Sequence, residues 1–307
     1  MNSVFFRACA LAVAAVPFAG CSSSCGQPQV SEPDVQSRSG SATVQEASAE
    51  PEADTAVDQI RAVSLIPNIT EIVFAIGAGD RLVGRSQNCD FPPEAGDVAS
   101  VGSGLAPDVE TIISLQPDVV LGTSLQMRRA WARTIEEAGA ELITVPDVEL
   151  DDIPAGIRVV GAALDASEAA EALAVSFEER LTELRSRELP ETPPTVLLVI
   201  GLDPLFVSGP ESRMEPLVRF AGGANAIEAG SWVQLEAEAL AAADPDVVVV
   251  VGPGQRGSFE SRYSFLTAVQ QGHVCDVDPN VITRPGPRIL DSVLELEQCL
   301  ALLENAN

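Results

Sequence analysis

The side chains that carry most enzyme chemistry are scarce in this chain. It has one histidine, His273, no lysine among its 18 basic residues, and 6 cysteines in 307 residues. A Ser-His-Asp triad would have to rest on His273 alone, and no Gly-x-Ser-x-Gly elbow is present to carry its serine. His273 stands just before the strand expected at Val274 to Val277, where a histidine is more often at the surface or packed than ligating. A zinc site needs a denser set of His and Cys than the sequence holds. The stretch Gly252 to Gly257 looks superficially like a phosphate loop, but no Gly-Lys-Ser or Gly-Lys-Thr follows it, so no nucleotide site is expected. Carboxylates abound, yet no spacing singles out an acid and a base. What remains is suited to contact rather than catalysis: Phe91 in a proline-stiffened loop, Phe206 and Trp232 farther on, and two matched glutamates, Glu110 and Glu238.

Those glutamates head the same phrase. Glu110 leads after six residues to Pro117-Asp118-Val119-Val120, and Glu238 leads to Pro245-Asp246-Val247-Val248. Each phrase reads as an amphipathic helical turn, a Pro-Asp turn and a buried strand, one unit of an α/β sheet. Between the copies, Ser167 to Arg187 reads as one long helix, with Ala170, Leu173, Phe177, Leu181 and Leu184 on one stripe. Asp165 and Glu168 predict a capping box at its start, and Pro190 stops it. At 1.5 Å per residue the helix is roughly 30 Å long, enough to join two lobes rigidly.

Further elements follow from pattern. Arg61 to Pro67 predicts a strand, Asn68 to Ile76 a helix closed by Gly77, and Leu82 to Arg85 and Glu141 to Val145 two more strands. Met127 to Ala138 reads as one helix, with Trp131 packed inside the lobe, and Met214 to Ala221 as another. Thr195 to Ile200 and Val247 to Val251 are fully apolar strands. In such folds ligands bind at loops beyond the carboxyl ends of the strands. The ligand-contact candidates are Pro67, Asn68, Phe91, Ser103, Gly104, Thr123 and Ser124 in the first half, and Phe206, Trp232, Arg256 and Arg284 in the second, with Phe259 and Tyr263 possible at a cleft rim.

Three segments, SLIPNITEIVFAIGAGDRLVG, CDFPPEA and VGSGLAPDVETIISLQPDVVLG, resemble in sequence and order the substrate-binding proteins of bacterial ABC importers for cobalamin, ferric siderophores and haem. The resemblance covers roughly Arg61 to Leu303. It implies an α/β fold with two Rossmann-like lobes joined by a single long backbone helix, a ligand cleft between the lobes, no enzyme activity, no cofactor and no resident metal. It implies a monomer that captures a metal chelate and hands it to a permease dimer with its ATPase, with Glu110 and Glu238 meeting permease arginines. The Cys89-Asp90-Phe91-Pro92 loop is most similar to the Cys-Asp-Tyr-Pro loop of cobalamin-binding members, with Phe91 in place of Tyr and Gln87-Asn88 in place of His-Glu. Trp232 matches a tryptophan that covers one corrin face, whereas the corresponding first-lobe position is Gly104. Arg284-Pro285-Gly286-Pro287-Arg288 resembles the family's C-terminal segment, which implies an arginine facing the cleft; the equal alternative is that Arg288 answers the many nearby acids. Cobalamin or another corrinoid is the favoured ligand, and a ferric siderophore or haem the alternative. An extracytoplasmic hydrolase or a structural or sensory surface lipoprotein is the reading from another class.

Residues 1–21 read as an export signal ending in Phe18-Ala19-Gly20-Cys21, which resembles a lipobox, so Cys21 is expected to carry the lipid anchor. Residues 22–58, without an aromatic side chain, read as a flexible acidic tether. The folded body then divides into a first lobe at 59–150, a linking helical segment at 151–189 and a second lobe at 190–307. A net charge of -27 argues against nucleic acid as a partner. With Cys9 lost and Cys21 acylated, Cys25, Cys89, Cys275 and Cys299 remain, and Cys275 with Cys299 is the first pairing expected in an oxidising compartment.

Overall fold

The computed structural model describes residues 59–304, so the expected signal segment, Cys21, Cys25 and the 22–58 tether lie outside the described residues. The first sheet is parallel and runs in the order β2-β1-β3-β4. Its strands are β1 (Ala62–Ser64), β2 (Leu82–Arg85), β3 (Val119–Gly122) and β4 (Glu141–Thr144). The second sheet contains β5 (Thr195–Leu202), β6 (Leu205–Ser208), β7 (Ala224–Asn225), β8 (Trp232–Gln234), β9 (Val247–Val251) and β10 (Val274–Val277). Its order is β10-β9-β5-β6-β8, with β7 beside β5, and β6 alone runs antiparallel to the others. β3 and β9 are buried along their whole length, as strands covered on both faces must be, which explains their unbroken apolar sequences.

The repeated phrase does the same work in both sheets. Six residues after each glutamate the backbone is left-handed, at Gln116 (φ 47°) and Asp244 (φ 32°), which ends the helical turn. The aspartate after the proline then ties down the start of a neighbouring strand. Asp118 accepts the Arg61 N–H at 2.8 Å beside β1, and Asp246 accepts the Thr195 N–H at 2.7 Å at β5.

Helices α1 (Pro67–Ala75), α2 (Val109–Ser114), α3 (Ser124–Met127) and α4 (Ala130–Glu137) belong to the first lobe. The single helix expected over Met127 to Ala138 is two. Thr123 and Gln126 form a capping box that starts α3 early, and Arg129, extended at ψ 150°, breaks the run before α4. Helices α5 (Ile153–Ala163) and α6 (Ser167–Ser186) lie between the two sheets in sequence, and α6 is the long helix anticipated. The expected capping box at its start is absent. Asp165 instead ends α5, taking a φ of 48° while the Ala166 N–H reaches back to the Gly161 carbonyl at 2.8 Å, a Schellman closure.

Helix α6 buries Ala170, Ala174, Phe177, Leu181 and Leu184, and this stripe belongs to one continuous core that includes Ile69 and Leu121 of the first lobe and Leu198 and Val249 of the second. Its arginines tie it to both sides: Arg185 pairs with Asp151 at 2.8 Å and Arg180 with Asp291 at 2.6 Å. A linker packed into a shared core cannot bend without opening that core, so the lobes are held as one unit.

Cys275 on β10 and Cys299 on the C-terminal helix form a disulfide, 24 residues apart. Closing a loop of that length stabilises the fold by about 3 kcal/mol in the chain-entropy model. A Cys275→Ser/Cys299→Ser double variant should lower the urea midpoint accordingly. Reductant should lower the wild-type midpoint to the same value and leave the variant's unchanged.

Candidate functional site: the lobe junction and its rim

Helix α1 is apolar almost all round, with Ile69, Ile72 and Val73 fully or nearly fully buried, and it carries a single charge, Glu71, only 4% exposed. A carboxylate so placed needs partners, and they come from the far end of the chain. Arg288 donates to Glu71 through Nε at 2.9 Å and Nη2 at 2.7 Å, and Arg284 through Nη1 at 3.2 Å. Both arginines lie in the segment beyond β10, so these bonds cross from one lobe to the other. The same segment presses on the first turn of α1, where the Asn68 amide donates to the Pro285 carbonyl at 3.2 Å and a Cβ on Gly286 would stand 3.3 Å from that of Asn68. A second crossing runs from Arg213 to the Asp147 carbonyl at 3.3 Å. Burial raises the Asp147 carboxyl above its ordinary range, partly offset by Arg213.

The arginines also grip the Cys-Asp-Phe-Pro loop. Arg284 donates to Asp90 at 2.7 Å, to the Asn88 carbonyl at 3.4 Å and to Asn280 at 2.7 Å. That hydrogen bond from Arg284 holds the Asp90 carboxyl below its usual range. The Arg288 guanidinium lies 3.4 Å from the centroid of the Phe91 ring, a cation-π contact. Phe91 is thus backed by a guanidinium that is itself anchored on a buried carboxylate, while the side chain stays 37% exposed. Arg284 was expected to face a ligand. Its side chain is 13% exposed and its donors are already matched, so it builds the junction instead.

The other first-lobe candidates separate. Pro67 starts α1 and Asn68 is buried under Pro285. Thr123 is buried with its hydroxyl donated to Gln126 at 2.6 Å, which corrects the expectation that it meets a ligand; Ser124 beside it is exposed. Gly104 lies against the end of β1, where a Cβ would stand 2.1 Å from the Leu65 carbonyl oxygen, so the loop in this conformation admits no side chain there. Ser103 accepts the Leu105 N–H at 3.3 Å, and Trp131, half-buried as anticipated, donates its indole N–H to the Leu105 carbonyl at 3.2 Å. Leu105 is thereby held outward, 46% exposed, and Leu125 in the loop after β3 is 55% exposed.

In the second lobe, Phe206 pairs across the ribbon with Gln234, and Ser208 with Trp232. Directly opposed residues share a face, and residues two apart on a strand do as well. Phe206 and Trp232 therefore lie on one face, 38% and 48% exposed, while Val207 on the other face is buried in the second-lobe core. The chain beyond β6 runs through Ser212 to Arg213, the residue that reaches Asp147 of the first lobe, so this ribbon borders the junction. Arg256 pairs with Glu260 at 2.6 Å and keeps part of its side chain exposed. Phe259 and Tyr263 are not rim residues: both are buried, their ring centroids 4.8 Å apart in the core. Glu110 and Glu238 are exposed in the first turns of their helices, without an ion-pair partner among the described residues.

Glu71, Asp90 and Leu105 were missed from sequence. Glu71 had a signal, a lone charge on a helix whose other positions are uncharged; Arg284 and Arg288 stood out in sequence too, but nothing local paired them with Glu71.

The arrangement seen here, two sheets with their helices about a packed helix, agrees with comparison to known proteins. A family model described as "Periplasmic binding protein" matches residues 63–281. The ABC transporter substrate-binding lipoprotein YvrC of Bacillus subtilis (strain 168) is 30% identical over 248 residues, 78% of this chain and 79% of that one. The vitamin B12-binding protein of Pectobacterium atrosepticum is 26% identical over 253 residues, 80% of this chain and 90% of that one. Among solved structures, the periplasmic heme-binding protein RhuT from Roseiflexus sp. RS-1 in apo form aligns with a TM-score of 0.71 at 28% identity, over 81% of this chain and all of that one. The chain belongs to the periplasmic binding protein family.

Proposed function

We propose that the protein is the extracytoplasmic, lipid-anchored substrate-binding component of an ABC importer, and that it captures a large metal chelate, a cobalamin or related corrinoid foremost. The observation that carries this reading is the pair of exposed aromatic side chains on one face of the second-lobe ribbon, Phe206 and Trp232, together with the exposed Phe91, Leu105 and Leu125 in first-lobe loops. Flat and apolar contact area of that kind suits a macrocycle, with few polar groups for orientation. Relatives whose names state vitamin B12 binding support a corrinoid, and those whose names state heme binding support haem as the alternative, alongside a ferric siderophore. Because the lobes share a core and a salt-bridged junction, affinity arises from preorganisation and closure is small. Release follows docking of Glu110 and Glu238 on the permease.

Trp232→Ala tests the placement of the site. Loss of a central aromatic anchor should weaken cyanocobalamin binding by at least about 2 kcal/mol, roughly 30-fold. Trp131→Phe, which keeps the packing ring and removes only the hydrogen bond to the Leu105 carbonyl, should weaken binding far less. Equal affinity of wild type and Trp232→Ala in a calorimetric titration would move the site elsewhere.

A further inference from the structure

Among the described residues, none offers the site an axial ligand for a metal. Protein-bound haem iron is held by histidine, cysteine, methionine or tyrosine, and each such side chain among the described residues can be located. The one histidine, His273, is 5% exposed and precedes β10, whereas the Arg284–Arg288 segment follows that strand. The one tyrosine, Tyr263, is 5% exposed and enclosed by Phe259 and Phe265. Cys275 and Cys299 are joined to each other, and Cys89 is fully buried with Sγ 3.2 Å from the Ser86 hydroxyl. Met214 is 1% exposed in the shared core, and Met127 packs against the first-lobe core. At the junction itself Glu71, Asp90, Arg284 and Arg288 are matched to one another, and the exposed apolar side chains around them are phenyl, indole and leucine.

From this we infer, on the basis of the chelate-receptor reading above, that the site takes a chelate whose metal already has a complete coordination sphere, and that no side chain of the described residues enters that sphere. Recognition is by contact with the outside of the ligand. A corrinoid with both axial positions filled or a hexadentate iron chelate fits this description. Haem with open axial positions loses the bond that would hold it.

The test is an absorbance titration of the protein with cyanocobalamin, with a ferric trihydroxamate, and with ferric haem in the presence and absence of cyanide, which fills both axial positions. The expected result is saturable retention of one of the two saturated chelates. Any haem taken up should keep the spectrum of iron without a protein ligand, and cyanide should change its affinity by less than about tenfold, the equivalent of about 1.4 kcal/mol. A parallel Cys21→Ser/Cys25→Ser chain separates thiols outside the described residues from the junction. Haem bound in preference to both saturated chelates, with a protein-ligated spectrum that cyanide abolishes in both chains, overturns the inference and leaves the receptor reading standing. Retention of none of the chelates overturns both.

Discussion

Glu71→Ala should cost about 3–5 kcal/mol of unfolding free energy, because it leaves two partly buried guanidinium groups without their shared carboxylate. The cost is local in origin and wide in reach. Arg288 loses two hydrogen bonds and Arg284 one, and with them go the ties between α1 and the segment beyond β10 and the support behind the Phe91 ring. Glu71→Gln keeps the volume and an acceptor oxygen and should recover part of the loss. Urea unfolding of the three proteins decides the matter: a drop below about 1 kcal/mol for the alanine variant would mean that the buried pairing contributes no more than a surface ion pair. The Asp90 tie to Arg284 is weaker, since the Asp90 side chain is 56% exposed. Its carboxyl is depressed in the folded state, so its contribution is present above the ordinary aspartate range and is lost as pH falls through the folded value.

A Glu110→Arg/Glu238→Arg double variant should abolish ligand uptake by cells carrying the cognate permease while binding the ligand as wild type does. Each glutamate is exposed, unpaired among the described residues, and placed at an equivalent position in its lobe. On the proposed docking against permease arginines, each reversal would replace attraction with repulsion, and losing a close interfacial charge pair costs about 2–5 kcal/mol. Uptake by transformed cells and affinity by titration must be measured on the same variants. Normal uptake by the double variant would remove the two glutamates from docking. Both lie in helical first turns, where an acidic side chain also gains about 0.3–1 kcal/mol from the dipole, so a small fall in stability carries no information on docking.

The sequence made the repeat and the linking helix readable because both are local. Gln116-Pro117-Asp118 and Asp244-Pro245-Asp246 encode a left-handed stop, a rigid turn and a strand clamp within three residues, and the α6 stripe recurs every three or four. Asp165 misled for a reason equally local: aspartate favours both an N-cap and a left-handed helix end, and the spacing to Glu168 matched the first while the chain used the second. Leu173, counted on the stripe, is only partly buried, and Ala174 takes its place in the core. The candidate site was legible in its exposed aromatics and not in its supports. Glu71 and Arg288 are 217 residues apart, and no periodicity reports a contact of that separation. Thr123 and Arg284, polar residues in loops at strand ends, looked like ligand groups because the partners that satisfy them, Gln126 and the Glu71-Asp90 pair, could not be assigned before the fold was known.

The central claim is that the protein binds a metal chelate without altering it. Equilibrium dialysis against cyanocobalamin, a ferric trihydroxamate and haem, each followed by its own absorbance, tests it most directly. The account predicts saturable one-to-one retention of a chelate, recovered chemically unchanged on unfolding, with cyanocobalamin favoured. Folded protein that retains none of the three, or returns one of them modified, would contradict it.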